Sequence, residues 1–213
     1  MATPATLTTT TTTITTTTPP STFPLPAHTS FPPFYTLQPN LQTRTRQLTL
    51  WSSLIQSYCA HHRLAKLTLG SALATPLFRN DALGRRLSLL DARAVLDWMC
   101  SAEGGGRAEW LREKSSSSAA AGGAAGSALQ KNTCYIYYRT PAEWADLLLG
   151  WVESTGQRGA VLTLYELVQG DAVSGMEWEG LDQDVLLKAL GVLVKRGRAQ
   201  VFGGEGSEGV KFF

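Results

Sequence analysis

Two stretches of the chain place apolar side chains at the same helical spacing. The pattern Trp-x-x-Leu-Ile-x-x-Tyr over residues 51–58 recurs as Trp-x-x-Leu-Leu-x-x-Trp over residues 144–151. Apolar groups at positions i, i+3, i+4 and i+7 share one face of an amphipathic helix. Each stretch therefore predicts a helix that buries one face against a core.

Two further matches follow these helices in the same order, which indicates an internal duplication. Leu-Thr-Leu at residues 67–69 recurs at residues 162–164, and Leu-Asp followed 16 positions later by Gly-Arg-Ala begins at residues 90 and 181. The separations indicate a repeated unit of roughly 75–90 residues.

Helix starts are marked by capping residues in both halves. Thr-Pro-Ala-Glu at residues 140–143 is a capping box with proline at the first helical position. Thr163 with Glu166, and Ser88 with Asp91, predict two further helix starts.

A β-hairpin is predicted at the end of each unit. Residues 108–111 and 134–138 are aromatic and partly alternating, and an insert of only Ser, Ala and Gly at residues 115–127 lies between them. Residues 199–202 and 210–213 predict the equivalent pair. Helix, strand, helix, helix and hairpin is the order of a winged-helix domain, so the predicted fold is α+β, mainly helical, with two tandem winged-helix domains.

Charge divides the chain into the same parts. The first 43 residues carry no charge, and 14 of the first 30 are threonine, which predicts a disordered tail over residues 1–30. Residues 31–43 then form a short segment rich in proline and aromatic residues. Residues 44–139, the first predicted domain, hold 13 basic and 6 acidic groups, whereas residues 140–213, the second, hold 6 basic and 11 acidic groups.

Composition excludes several classes of protein. No apolar run approaches the roughly 20 residues that span a bilayer, and the N-terminus lacks the basic and apolar regions of a secretory signal. Three widely spaced cysteines, Cys59, Cys100 and Cys134, suit a reduced cytosolic chain.

Candidate enzyme chemistry is weak. The pattern Gly-x-Gly-x-x-Gly at residues 204–209 does not open a helix, since only four residues follow it, and its two glutamates would repel phosphate. Cys59, His61 and His62 cluster near a helix end without a second cysteine pair at zinc spacing. We therefore predict no catalytic residue, cofactor, metal ligand or small-molecule substrate.

Nucleic-acid binding is the main alternative function, because winged helices often bind DNA. The third helix of each unit, at about residues 88–102 and 181–196, begins with acidic residues at the end that usually meets base edges. The basic surplus of the first unit, at Arg79, Arg85 and Arg86, leaves contact with nucleic acid or anionic lipid open.

Phe31-Pro32-Pro33-Phe34-Tyr35 is the most distinctive motif of the chain. Consecutive prolines favour an extended polyproline II conformation that an aromatic-lined groove on a partner can bind. The alternative is that the rings pack onto the first unit, which begins a few residues downstream.

Three segments resemble a known family: residues 31–40 (Phe-Pro-Pro-Phe-Tyr-Thr-Leu-Gln-Pro-Asn), residues 163–167 (Thr-Leu-Tyr-Glu-Leu) and residues 209–213 (Gly-Val-Lys-Phe-Phe). The family is that of the small subunits of the endosomal sorting complex ESCRT-II. The resemblance covers about residues 31–213 and implies two tandem winged-helix domains, in agreement with the repeat.

The resemblance also implies partners. The proline-aromatic segment would bind the two larger ESCRT-II subunits, in a complex with two copies of this chain, through Pro32, Pro33, Phe34 and Tyr35. The second domain would recruit the first ESCRT-III subunit through that partner's N-terminal helical segment. We predict that contact at Leu162, Thr163, Leu164, Asp171, Glu177 and Glu179.

Simpler interpretations of the second domain remain. Leu164 and Leu167 fit a core by their spacing, and the acidic residues fit a solvated loop.

With the resemblance, the predicted function is a non-catalytic adaptor of multivesicular body sorting of ubiquitinated cargo. It would be cytoplasmic and recruited to the endosomal membrane, with indirect membrane contact.

Overall fold

The computed structural model describes residues 23–111, 132–203 and 209–213. The helices are α1 (Leu41–His61), α2 (Leu69–Ala72), α3 (Leu89–Cys100), α4 (Pro141–Ser154), α5 (Leu164–Gln169) and α6 (Gln183–Lys195). The strands are β1 (Lys66–Thr68), β2 (Arg79–Asn80), β3 (Arg85–Arg86), β4 (Ala108–Trp110), β5 (Thr133–Ile136), β6 (Val161–Thr163), β7 (Ala199–Phe202) and β8 (Gly209–Phe212). Three short 3-10 helices are Ala27–Ser30, Pro32–Tyr35 and Asp171–Val173.

The two units have the same topology, which confirms the predicted tandem winged-helix fold. The first unit contains α1 to β5 and the second contains α4 to β8. Their three-stranded antiparallel sheets have the orders β1-β5-β4 and β6-β8-β7. The repeated Leu-Thr-Leu takes the same place in both, because Leu67 pairs with Cys134 on β5 and Leu162 pairs with Val210 on β8.

The predicted helix caps form in the structure. Thr140 accepts a hydrogen bond from the backbone N–H of Glu143, whose carboxylate accepts one from the N–H of Thr140. Thr163 and Glu166 form a second capping box at the start of α5. Ser88 caps α3. These bonds satisfy N–H groups that a helix start otherwise leaves without a partner.

Each unit has its own apolar core, and strand β5 contributes to both. Cys134 and Ile136 point into the core of the first unit. Tyr135, and Tyr137 just beyond the end of the strand, pack with the core of the second unit. Because successive side chains of a strand alternate between faces, one strand joins the two cores.

Within the expected disordered tail of residues 1–30, the described residues 23–30 are ordered. Ala27–Ser30 is helical and buries Thr29, while Phe23 packs edge-on against Tyr58 of α1. Residues 1–22 lie outside the described residues, as does the predicted insert at residues 115–127. Helix α1 begins at Leu41, three residues before the expected start of the first domain.

The two-residue ribbon β2-β3 has no counterpart among the predicted elements. Gly209, the last glycine of the Gly-x-Gly-x-x-Gly pattern, begins strand β8 and opens no helix.

Within the described ranges, none of the helices combines the length and apolar character needed to cross a bilayer.

Candidate partner-binding surfaces

The proline-aromatic segment is attached to the first unit by its last two rings. Phe34 stacks on Trp51 of α1, with ring centroids 4.3 Å apart and planes 13° apart. Tyr35 meets the same indole edge-on, and Phe34 and Tyr35 are each only 4% exposed. Both rings belong to the core of the first unit.

Polar contacts fix the backbone of the same segment. The carbonyl of Phe34 accepts hydrogen bonds from Gln47 Nε2 at 2.8 Å and from Trp51 Nε1 at 3.2 Å. The hydroxyl of Tyr35 donates to the carbonyl of Thr29 at 3.1 Å. Burial raises the pKa of Tyr35 above its ordinary value.

The geometry of the segment differs from the expected polyproline II conformation and agrees with the alternative that its rings pack onto the first unit. Pro32–Tyr35 forms a 3-10 helix rather than extended polyproline II. Of the four predicted binding residues, Phe34 and Tyr35 are buried within the chain itself. The exposed side chains are Phe31, at 62%, and the two prolines that follow it. We call Phe31, Pro32 and Pro33 the docking edge.

Two exposed arginines lie close to the docking edge. Strand β3, which consists of Arg85 and Arg86, lies against the 3-10 helix Pro32–Tyr35. Among the described residues, neither arginine forms an ion pair, whereas Arg79 on β2 pairs with Asp81. The arrangement places positive charge beside the 3-10 helix that carries Pro32 and Pro33.

A groove of about 810 Å³ crosses the second unit. Its walls come from β6, α5, the start of α6 and the end of β7. The walls are mainly apolar, and they include Val161, Tyr165, Val168, Leu181, Leu186 and Phe202. Val161 and Tyr165 are mostly exposed, the latter at 64%. We call this feature the groove.

The structure separates the residues predicted to contact ESCRT-III. Thr163 and Leu164 line the groove, although Leu164 is only 7% exposed and also belongs to the core. Leu162 is half-buried in the sheet beside them.

The predicted acidic residues lie elsewhere. Glu177 forms a bidentate ion pair with Arg139, and Glu179 accepts a hydrogen bond from the N–H of Gly175. Neither carboxylate lines the groove, and Asp171 is exposed in the turn after α5. The acidic side chains are therefore not gathered with Thr163 and Leu164 in one site.

The two units meet in a polar contact that the sequence did not reveal. Lys66 Nζ lies 2.9 Å from Asp182 Oδ2 and 2.9 Å from Asp184 Oδ2, and the hydroxyl of Tyr135 donates to the same Asp184 oxygen at 2.5 Å. Hydrogen bonding to Asp182 is the main cause that raises the pKa of Lys66. Burial raises the pKa of Tyr135 to about 12.

Lys188 of α6 extends this contact. Its ammonium donates to Glu109 Oε2 at 2.7 Å and to the hydroxyl of Tyr137 at 2.8 Å, and it lies 4.3 Å from the ring centroid of Tyr135. The tyrosine rings are stacked with an interplanar angle of 2°. We call the polar residues of this contact between the two units the seam: Lys66, Glu109, Tyr135, Tyr137, Asp182, Asp184 and Lys188.

Acidification is expected to weaken the seam. The hydrogen bond from Tyr135, followed by that from Lys66, lowers the pKa of Asp184, so its carboxylate stabilises the fold above the ordinary aspartate pKa of about 3.9. That contribution is lost as the pH falls through the lowered value, and solvent screening limits it to a fraction of a kcal/mol. We expect Asp184→Asn to reduce the difference in unfolding free energy between pH 7 and about pH 2.5. An equal difference in both proteins would contradict the assignment.

The seam also bears on nucleic-acid binding. Helix α6 holds the position of a recognition helix, yet Asp182 and Asp184 at its start are paired with the first unit. The end of the helix that usually meets base edges is thus acidic, and its two carboxylates already pair with Lys66.

The Cys59, His61 and His62 cluster contains packed side chains. Cys59 is fully buried, which raises the pKa of its thiol to about 12. The two imidazole rings pack against Phe23 and each other. Over the part of the chain that the structure describes, no three His, Cys, Asp or Glu side chains are grouped to hold a metal ion.

The family follows from comparison with known proteins. A family model described as "ESCRT-II complex subunit" matches residues 28–182, more than half of the chain. The chain belongs to this ESCRT-II family. It is similar to the vacuolar protein-sorting-associated protein 25 of Xenopus laevis, with 37% identity over 90% of this chain and 99% of the relative. The Homo sapiens relative is 38% identical over 90% of this chain and 98% of its own length.

Solved ESCRT-II structures have the same fold. The crystal structure of subunit VPS25 of the endosomal trafficking complex ESCRT-II matches with a TM-score of 0.73 and 26% identity, over 89% of this chain and 98% of that chain. A chain in the structure of the ESCRT-II endosomal trafficking complex matches with a TM-score of 0.71 and 26% identity, over 88% and 99%. Neither the ESCRT-II family description nor the names of these relatives is that of an enzyme.

Proposed function

We propose that this ESCRT-II family member is a non-catalytic adaptor that binds the larger ESCRT-II subunits through its first unit. One observation carries the proposal: the exposed docking edge is fixed on a buried aromatic anchor. Because Phe34 and Tyr35 already hold the backbone, Phe31 and the two prolines lose little conformational freedom on binding. A related crystal structure is described as endosomal complex ESCRT-II (VPS22/VPS25/VPS36), which supports partners of this kind.

The basic strand β3 adds a second recognition element to the docking edge. Arg85 and Arg86 are exposed and lie beside Pro32–Tyr35. An acidic group on the partner would complement them, and such pairing favours the correct partner and a faster encounter. The proposed interface therefore combines one exposed aromatic ring, two prolines and two arginines.

Truncating Phe31 and Pro32 of the docking edge is expected to reduce co-purification with the larger subunits. We expect Phe31→Ala with Pro32→Ala to weaken binding by about tenfold or more, because an exposed aromatic anchor usually dominates a small interface. The measurement is recovery of the two larger subunits with the tagged chain after co-expression.

The matched control is Leu41→Ala, which removes another exposed apolar side chain, 78% exposed at the start of α1. It should leave co-purification unchanged, and thermal unfolding should show that both variants are folded. Full recovery of the larger subunits with the Phe31 and Pro32 variant would overturn this docking mode.

The second unit would recruit the first ESCRT-III subunit. Its apolar groove suits the apolar face of an amphipathic helix, and the acidic surplus of residues 140–213 would attract a basic one. Within the predicted contact set, Thr163 and Leu164 lie at the groove, and we add the exposed Tyr165 and Val161. Leu162 lies in the sheet beside the groove, and Asp171 is exposed in the 3-10 helix after α5. Glu177 and Glu179 form contacts within the chain.

These two surfaces lie on different units, as an adaptor requires. One would join the chain to the larger subunits, with two copies per complex, and the other would recruit ESCRT-III. The chain would move from the cytoplasm to the endosomal membrane with the complex, with its membrane contact made indirectly. It would thereby connect the machinery that holds ubiquitinated cargo to ESCRT-III in multivesicular body sorting.

A further inference from the structure

The seam holds the first turn of α6 from outside the second unit. Asp182 caps the helix by accepting a hydrogen bond from the N–H of Asp184 at 3.1 Å. Lys66 of β1 lies 2.9 Å from a carboxylate oxygen of each of these residues. One side chain of the first unit thus contacts both carboxylates at the start of this helix.

The same short stretch of chain forms one wall of the groove. Leu181, Gln183 and Leu186 line the groove, while Asp182 and Asp184 between them face the seam. These residues are coupled, because Asp182 accepts hydrogen bonds from the N–H groups of both Asp184 and the groove-lining Leu186. A displacement of Asp182 and Asp184 therefore moves the groove wall.

Further contacts make Lys66 the centre of this arrangement. Its ammonium lies 5.2 Å from the ring centroid of Tyr135, and the hydroxyl of that ring donates to Asp184. Lys188, one helical turn beyond Asp184, contacts the opposite part of the seam through Glu109 and Tyr137. Among the described residues of the first unit, Lys66 is the one whose side chain forms an ion pair with the helix cap, Asp182.

We propose that Lys66 is a positioning residue through which the first unit sets the shape of the groove in the second unit. The inference rests on the proposed function of the groove as a site for a partner helix. With Lys66 in place, the start of α6 is ordered before the partner arrives, so binding loses less entropy. Without it, the wall formed by Leu181, Gln183 and Leu186 fluctuates.

The test uses Lys66→Met in the full chain. We expect amide hydrogen exchange at Asp184 and Leu186, whose N–H groups bond to Asp182, to accelerate by about threefold to tenfold, because two partly exposed ion pairs are lost. Affinity for a synthetic peptide of the N-terminal helix of the first ESCRT-III subunit is expected to fall by a similar factor. Lys195→Met, in the exposed last turn of α6, removes the same charge outside the seam and should change neither quantity.

Each result separates the positioning role from the proposed function. Unchanged exchange in Lys66→Met would overturn the inference. Faster exchange with unchanged affinity would also overturn it, provided that Tyr165→Ala abolishes peptide binding in parallel. If the intact chain fails to bind the peptide, the proposed function of the groove fails, and the exchange data alone then decide whether Lys66 holds the helix start.

Discussion

Replacing Phe34 with alanine is expected to lower the free energy of unfolding by about 3–5 kcal/mol. The ring is 4% exposed and stacked on Trp51, so its removal leaves a cavity against a fully buried indole. Without the ring, the backbone carbonyl of residue 34 is also held less firmly for the hydrogen bonds that it accepts from Gln47 and Trp51. Urea unfolding followed by tryptophan fluorescence measures the change.

Phe31→Ala is the matched control for this prediction, since it removes the same side chain three residues earlier. Phe31 is 62% exposed, so its loss should change the free energy of unfolding by less than about 0.5 kcal/mol. Equal stability of the two variants would show that Phe34 does not anchor the segment.

The contrast also decides how binding data on this segment can be interpreted. A variant at Phe34 or Tyr35 that fails to bind the larger subunits has lost part of the core of the first unit. Only variants of the docking edge separate recognition from folding.

Much of the fold could be predicted because its signals are local. A capping box such as Thr140 with Glu143 needs residues only three positions apart, and both the box and the helix it begins are found. The repeat of Leu-Thr-Leu likewise marks a strand followed at once by a helix in each unit. Where the deciding contacts lie within one helical turn or one strand, residue type and spacing are sufficient.

The orientation of the proline-aromatic segment could not be predicted in the same way. Phe31 and Phe34 have the same chemistry and similar neighbours, and Trp51, 17 residues beyond Phe34, determines which ring is buried. The seam depends on pairs still farther apart, such as Lys66 with Asp184. The one signal for it is the alternation in Cys134-Tyr135-Ile136-Tyr137, which allows a strand with two buried faces.

The second large effect is expected at the groove. Tyr165→Ala should weaken binding of the ESCRT-III N-terminal helix peptide by about tenfold or more, because Tyr165 is the most exposed aromatic side chain of the groove wall. The free energy of unfolding should change by less than about 0.5 kcal/mol, since the ring is 64% exposed. Isothermal titration calorimetry on the full chain measures the affinity. If the acidic surplus attracts the peptide, stopped-flow measurements should show slower association at high salt than at low salt.

Leu164→Ala, at the adjacent position, provides the opposite case. Leu164 is 7% exposed and packs in the core of the second unit, so its truncation should lower the free energy of unfolding by about 2–4 kcal/mol. Any loss of binding in that variant would then follow from the weakened unit, whereas Tyr165→Ala tests the surface alone. If Tyr165→Ala binds the peptide as tightly as the intact chain does, the partner helix does not occupy the groove. The recruitment surface would then have to lie elsewhere on the second unit, and the exposed turn around Asp171 would be the next region to test.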